Sequence, residues 1–336
     1  MSSLDQGIKT ITGLSPNDIP DAVLESHIPL VIKGLVANWP LVQAANNSPK
    51  KAISYLEKFS TEESWTVFKG EPEIDGRVFY NSEFNGFNFE VVGIPFKELI
   101  KDLLKSSTQE SPPMIYVGST MIDRWLPKFR SENDIDISHD ALASIWMGNQ
   151  SRIAAHYDFA SNIACCAVGR RRFTLFPPDQ LENLYVGPLD FTPAGQPISL
   201  VDFKNPDFEK FPKFKIALES AIVVELEPGD ALLIPSMWWH HVEALEDFNV
   251  LVNYWWRNSP RYMGSPLNVL QHGVMGLRDL PPEQREVWQQ LFKYYVFEPS
   301  EENFEHIPKQ AKGVLNEMSE QMSRDIRNLL INRLKR

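Results

Sequence analysis

Cysteine is nearly missing from this 336-residue chain: Cys165 and Cys166 are the only two, and they are neighbours. A disulfide framework is thereby excluded, and a reducing, cytoplasmic location is expected. Adjacent side chains on a strand point to opposite faces, so the pair makes a poor metal site and reads as two core thiols. Long apolar runs are missing too: nothing approaches the roughly 18 residues of a membrane-spanning helix, and no membrane partner is expected. The start, Met1-Ser-Ser-Leu-Asp-Gln-Gly, has neither the basic opening nor the apolar stretch of a signal peptide. Positive charge is in deficit, since 33 Lys and Arg against 44 Asp and Glu leave a net charge of −11. A general affinity for nucleic acid is therefore not expected. Glycine is outnumbered by proline, 17 to 25, which suggests strands and turns with fixed backbone angles.

What is present is organised around Ser151-Arg-Ile-Ala-Ala-His156-Tyr-Asp158 and a distant answering segment, Pro235-Ser-Met-Trp-Trp-His240-His241-Val242. On a strand His156 and Asp158 project to the same side. An imidazole and a carboxylate so placed can supply two ligands to one divalent metal. A second histidine from another strand would complete a two-His-one-carboxylate triad, which leaves positions open on Fe(II). His240 and His241 cannot both face one metal. His241 shares its side with Glu243, and an unpaired carboxylate rarely points into a core, so His240 is the inward residue.

The remaining chain can be read around this pair. Ile28-Pro-Leu-Val-Ile reads as a strand, and Ser48-Pro49 as the cap and first position of a helix through Phe59. Residues 64–95 are β-rich, with Phe79, Tyr80, Phe84, Phe87 and Phe89 as wall residues. Phe96, Leu99, Ile100 and Leu103 share one face of an amphipathic helix. His139, in an acidic stretch, reads as a surface histidine, and His27, His272 and His306 as surface or satisfied core residues without a metal-ligand partner at useful spacing. From Ile153 to Pro178 the text is strand-like, broken once at Val168-Gly169-Arg170-Arg171, a hairpin signal. Asn162 then falls on the His156 side. The phase across the turn is open by one residue, so spacing alone does not choose among Arg170, Arg171 and Arg172. Residues 179–220 form a polar, proline-rich excursion of the kind that serves as a rim or lid. Asn253 and Trp255 share one face of a later strand, and Trp238-Trp239 reads as packing behind the metal strand. At the end, Leu315, Met318, Met322, Ile326, Leu329 and Leu330 suggest one long helix with a nearly heptad seam, hence a homodimer.

The turn Glu227-Pro-Gly-Asp230 ahead of the second histidine segment fits a double-stranded β-helix, the jelly-roll barrel of cupins. Ile153–Asp158 with Asn162, Phe176-Pro-Pro-Asp-Gln180, Val201-Asp-Phe-Lys-Asn-Pro-Asp207 with Phe211-Pro212, Pro228-Gly-Asp230 through Trp238-Trp-His-His241, and Asn253-Tyr-Trp255 together resemble the cupin-like branch of the Jumonji-C (JmjC) oxygenases. The resemblance is dense from Met114 to Trp256. It implies a mainly β fold with α additions. Residues 1–110 would be an α/β lead-in packed on the barrel, 111–260 the catalytic barrel, and 261–336 a helical dimerisation segment.

The resemblance further implies Fe(II) held by His156, Asp158 and His240, with 2-oxoglutarate as cosubstrate and O2 as oxidant. Tyr116 would hydrogen-bond the distal carboxylate of 2-oxoglutarate, Asn162 and Asn253 would lie in the polar pocket, and Trp255 would pack beside it. Two departures stand out. Arg171 occupies the position of a carboxylate-gripping lysine, which keeps the charge and gains a bidentate fork. Ile153 stands where a threonine would add a hydrogen bond. Pro197 and Ile198 also replace polar substrate-holding residues, so the substrate does not carry over. A hydroxylase acting on a protein or peptide side chain is the favoured reading, with a small molecule or modified tRNA base as substrate left open. A metal cupin without 2-oxoglutarate (a direct dioxygenase or isomerase) and a non-enzymatic cupin dimer are the rival classes.

Overall fold

The structure, a computed structural model, describes residues 7–137 and 140–335. His139 and the first six residues lie outside the described residues. The chain divides into two compact units, Met1–Arg257 and Asn258–Arg336. No helix among the described residues is long and apolar enough to cross a membrane.

Fourteen strands are described: β1 Lys9–Thr12, β2 Leu30–Lys33, β3 Ser64–Gly70, β4 Arg77–Val78, β5 Glu90–Pro95, β6 Met114–Met121, β7 Leu142–Gly148, β8 Ser151–His156, β9 Ser161–Val168, β10 Arg171–Phe176, β11 Ile222–Leu226, β12 Ala231–Ile234, β13 Trp239–Ala244 and β14 Asn249–Trp256. They form a nine-stranded sheet, β1-β2-β12-β9-β14-β7-β6-β3-β5, and a five-stranded sheet, β11-β10-β13-β8-β4. From β7 to β14 the chain alternates between the sheets, except that β10 and β11 are neighbours in the small one, which is the double-stranded β-helix expected. Strands β2 to β5 of the N-terminal region join these same sheets.

Side-chain alternation sorts the large sheet into two cores. On β9, Ile163, Cys165 and Ala167 face the larger cluster, which also takes in Leu41, Leu56, Phe96 and Leu99 from the helices. Ala164 and Cys166 face inward with Phe173, Leu175 and Val242 of the small sheet. The two cysteines are thus buried, free and on opposite faces. The helix Pro49–Glu57 is capped by the Ser48 side chain, which accepts from the Lys51 N–H.

The hairpin expected at residues 168–171 does not form. β9 pairs with β12 and β14, whereas β10 pairs with β11 and β13. The turn carries the chain from one sheet to the other, as residues 157–160 do between β8 and β9. Both strands are buried on two faces, so their composition does not distinguish a hairpin from a corner.

The second unit contains helices Pro266–Gly276, Pro282–Phe292 and Glu320–Leu334. The last is shorter than its apolar pattern suggested. Ser319 caps it by accepting from the Met322 N–H, while Leu315 and Met318 lie ahead of the cap. A cap residue in extended conformation ends the helix whatever the periodicity upstream.

Candidate metal centre

β8 and β13 run antiparallel with His156 directly opposite His240. Their rings stand 4.3 Å apart between centroids, and Asp158 Oδ2 is 3.7 Å from His240 Nε2. One ligand atom from each of His156, Asp158 and His240 lies within 4.8 Å of the others. Among the described residues no other cluster of this kind occurs.

The tautomers suit a metal. His156 Nδ1 faces the Ala154 carbonyl at 2.9 Å, and His240 Nδ1 faces the Trp238 carbonyl at 3.0 Å. A carbonyl oxygen only accepts, so each Nδ1 carries its proton and each Nε2 keeps a lone pair. Burial, with His156 alongside, pushes the His240 pKa down to about 4, although Asp158 pulls it up. A neutral His240 remains available as a ligand.

Asp158 lies just beyond β8, where alternation no longer fixes its direction. The turn at Pro235–Trp238 holds it instead. Its carbonyl accepts the Met237 N–H at 2.8 Å, and Ser236 Oγ donates to the Phe159 carbonyl at 3.1 Å. The motif carrying His240 therefore also positions the carboxylate. A set of two imidazoles and one carboxylate on one side of an ion fits Fe(II), with positions left open.

These ligands line a cavity of about 270 Å3 between the two sheets. Tyr116, Asn162, Arg171, Asn253 and Trp255 all reach it. Asn162 does so from the facing sheet rather than from the continuation of the His156 strand, because residues 157–160 cross between sheets. Asn253 Nδ2 donates to Asn162 Oδ1 at 2.9 Å, and Asn253 Oδ1 is buried without a partner. Arg171 is 2% exposed with an unpartnered Nε. Burial lowers its pKa, and the groups opposing this are Tyr116 and Cys166 rather than any carboxylate. Arg170 and Arg172 point outward to Glu246, Glu225 and Glu243. Burial raises the Tyr116 pKa, so its hydroxyl stays a donor.

Several lining residues escaped the sequence reading. Phe68, Ser119, Trp146 and Phe173 line the cavity, as do Pro193, Ala194 and Gln196 from the long excursion. Alternation would have turned Ile153 away from His156. A bulge between β8 and β13 breaks the register between His240 and Val242, and both Ile153 and Ala154 reach the cavity. His241 instead stacks on Phe203 with centroids 4.7 Å apart, outside the cavity lining. Trp239 is buried behind the strand with Tyr157, Phe176 and Phe214. His27, His272 and His306 are exposed.

Residues 16–262 match the model of the Cupin-like domain family. Lysine-specific demethylase JMJ31 of Arabidopsis thaliana is 24% identical over 77% of this chain and 52% of its own length. tRNA wybutosine-synthesizing protein 5 of Gallus gallus is 30% identical over 40% of this chain and 43% of its own. HSPB1-associated protein 1 of Homo sapiens is 31% identical over 34% of this chain and 23% of its own. The chain spans about half or less of the length of these relatives. With the matched span covering both strands that carry the His-Asp-His cluster, the chain belongs to the cupin-like JmjC family.

Proposed function

We propose that the protein is an Fe(II)- and 2-oxoglutarate-dependent oxygenase, a hydroxylase acting on a protein or peptide side chain. The observation that carries the reading is Arg171, a buried guanidinium without a carboxylate partner in the cavity that holds the triad. Arg171 stands opposite Ala244, and Leu175 stands opposite His240. Four residues of strand, about 13 Å, therefore separate the rungs of Arg171 and His240. The arginine side chain spans part of that distance and leaves room for a short dicarboxylate. Unpaired buried charge is costly, so the site is built for an anion.

His156, Asp158 and His240 would hold the iron, with Arg171 and the Tyr116 hydroxyl gripping the distal carboxylate. Ile153 offers no hydrogen bond, but Trp146 and Trp255 line the cavity with buried indole N–H groups that lack partners. The bound pair would supply oxidative decarboxylation of 2-oxoglutarate coupled to oxidation of a substrate C–H. Phe68, Phe173, Leu251 and Val242 keep the chamber largely apolar and limit access of water. The apolar residues left exposed on the C-terminal helices, among them Val287, Leu291, Leu329 and Leu330, support a homodimer through that unit.

Succinate formation from 2-oxoglutarate tests the reading. Arg171→Ala loses a charge-assisted contact of about 1.5–3 kcal/mol, so the 2-oxoglutarate requirement should rise at least tenfold. Iron binding without any dependence on 2-oxoglutarate would instead favour a direct dioxygenase or isomerase.

A further inference from the structure

Resting on that reading, we infer that the prime substrate enters on the side of the metal opposite Arg171 and presents a neutral, largely apolar side chain, with Gln196 as a specificity-determining residue. The small sheet gives the direction. From β10, which carries Arg171, the order runs to β13 with His240, then to β8 with His156. Beyond β8, Ile198 bridges to His156, and the Ser199 N–H donates to the Ala155 carbonyl at 2.7 Å. The metal ligands thus stand between the arginine and the strap that leads into Ile198. From this strap Pro193, Ala194, Gln196 and Ile198 line the cavity, and Gln196 Oε1 is buried without a partner.

The strap is pinned at its other end. Tyr80 Oη donates to the Phe191 carbonyl at 2.6 Å, and Phe191 stacks on Phe87 with centroids 5.0 Å apart. Phe87 stacks on Phe89 at 5.3 Å, and Phe89 on Phe68 at 4.7 Å, so an aromatic ladder runs from the strap to the cavity. These rings cover one another's faces rather than walling a cage for a methylated ammonium. Among the described residues that line the cavity, Asp158 and Arg171 are the charged ones. Cations around residues 200–204, which continue the strap, are already paired: Arg152 and Arg77 with Asp202, and Lys204 with Asp75. Exposed Glu83 and Asp190 beside Phe84 and Phe191 add negative charge. A phosphate backbone finds no free partner here, whereas a neutral side chain flanked by basic residues does.

The test uses the full-length chain loaded with Fe(II) and 2-oxoglutarate, and acetylated Gly-Lys-Gly-X-Gly-Lys-Gly amides. X is leucine, phenylalanine, asparagine, trimethyl-lysine or aspartate, and a synthetic RNA stem-loop runs alongside. Succinate release is the activity readout, and 2-oxoglutarate binding is measured in the same samples. Neutral peptides should exceed the trimethyl-lysine and aspartate peptides by about tenfold in kcat/KM. Gln196→Ala should raise KM for the best neutral peptide about fivefold, the loss of one hydrogen bond from a peptide backbone N–H to Gln196 Oε1, without changing the 2-oxoglutarate requirement. Preference for a charged peptide or the RNA, silence toward every peptide, or an unchanged KM in Gln196→Ala would overturn the inference. Absence of 2-oxoglutarate binding would overturn the functional reading beneath it as well.

Discussion

A histidine serves a metal only through a nitrogen free of its proton, and two backbone carbonyls here decide which nitrogen that is. Arg171 is the proposed counterpart on the cosubstrate side, a cation left without a carboxylate. If it grips 2-oxoglutarate with a planar fork, Arg171→Lys should retain more binding than Arg171→Ala yet fall short of the wild type, as titration of the cosubstrate would show. Strand spacing alone did not choose Arg171, because that choice depends on register; the family resemblance is what pointed to it. Only the pairing with β11 and β13 reveals that Arg170 and Arg172 have glutamates waiting for them. Asp202 gives a second residue-level prediction. Burial alone would raise its pKa, but Arg77 and Arg152 outweigh burial and hold it low. A carboxylate depressed below its unfolded value of about 3.9 stabilises fully above that value, and the contribution is lost as pH falls through the folded pKa. Asp202→Asn should therefore cost about 2 kcal/mol at neutral pH. The gap between wild-type and variant unfolding curves should shrink below about pH 4.

At the scale of elements, the corners between sheets matter more than any one strand. Gly169 turns the chain from β9 to β10 with φ of +72°, and a Cβ there would press on Asn249 Oδ1 and lie 2.8 Å from the Phe248 carbonyl. Gly169→Ala should destabilise the barrel by more than about 1 kcal/mol, read by thermal unfolding. Strand existence was legible because apolar β-branched runs announce themselves. Pairing was not, since Ile163 to Val168 is buried on both faces and would look the same in a hairpin. The bulge that brings Ile153 to the cavity was hidden from strand spacing, because alternation assumes an unbroken register. The excursion of residues 179–220 was recognisable as a functional loop from its length, but its irregular backbone carried no period from which to choose Gln196.

For the whole molecule, the barrel unit buries most of its apolar residues in defined cores, whereas Val287, Trp288, Leu291, Leu329 and Leu330 of the C-terminal unit are exposed and Phe304 is its one buried core residue among the described residues. Such a surface supports the proposed homodimer. Leu330→Glu should shift the protein from dimer to monomer in sedimentation velocity while leaving iron binding intact. An unchanged mass would remove the dimer from the account. The architecture and the clustering of His156, Asp158 and His240 were legible at once, because turn chemistry and two histidine motifs agreed with one another, although Asp158 lies beyond the strand whose alternation was used to place it. The central claim joins those ligands to Arg171 in one site, and an anaerobic titration tests it most directly. Fe(II) is added to the metal-free protein, then 2-oxoglutarate, following the weak visible charge-transfer band of the chelate. The account expects a band in the wild type, none in His240→Ala, and a band in Arg171→Ala only at much higher 2-oxoglutarate. Tight iron binding with no band at any 2-oxoglutarate concentration would contradict it.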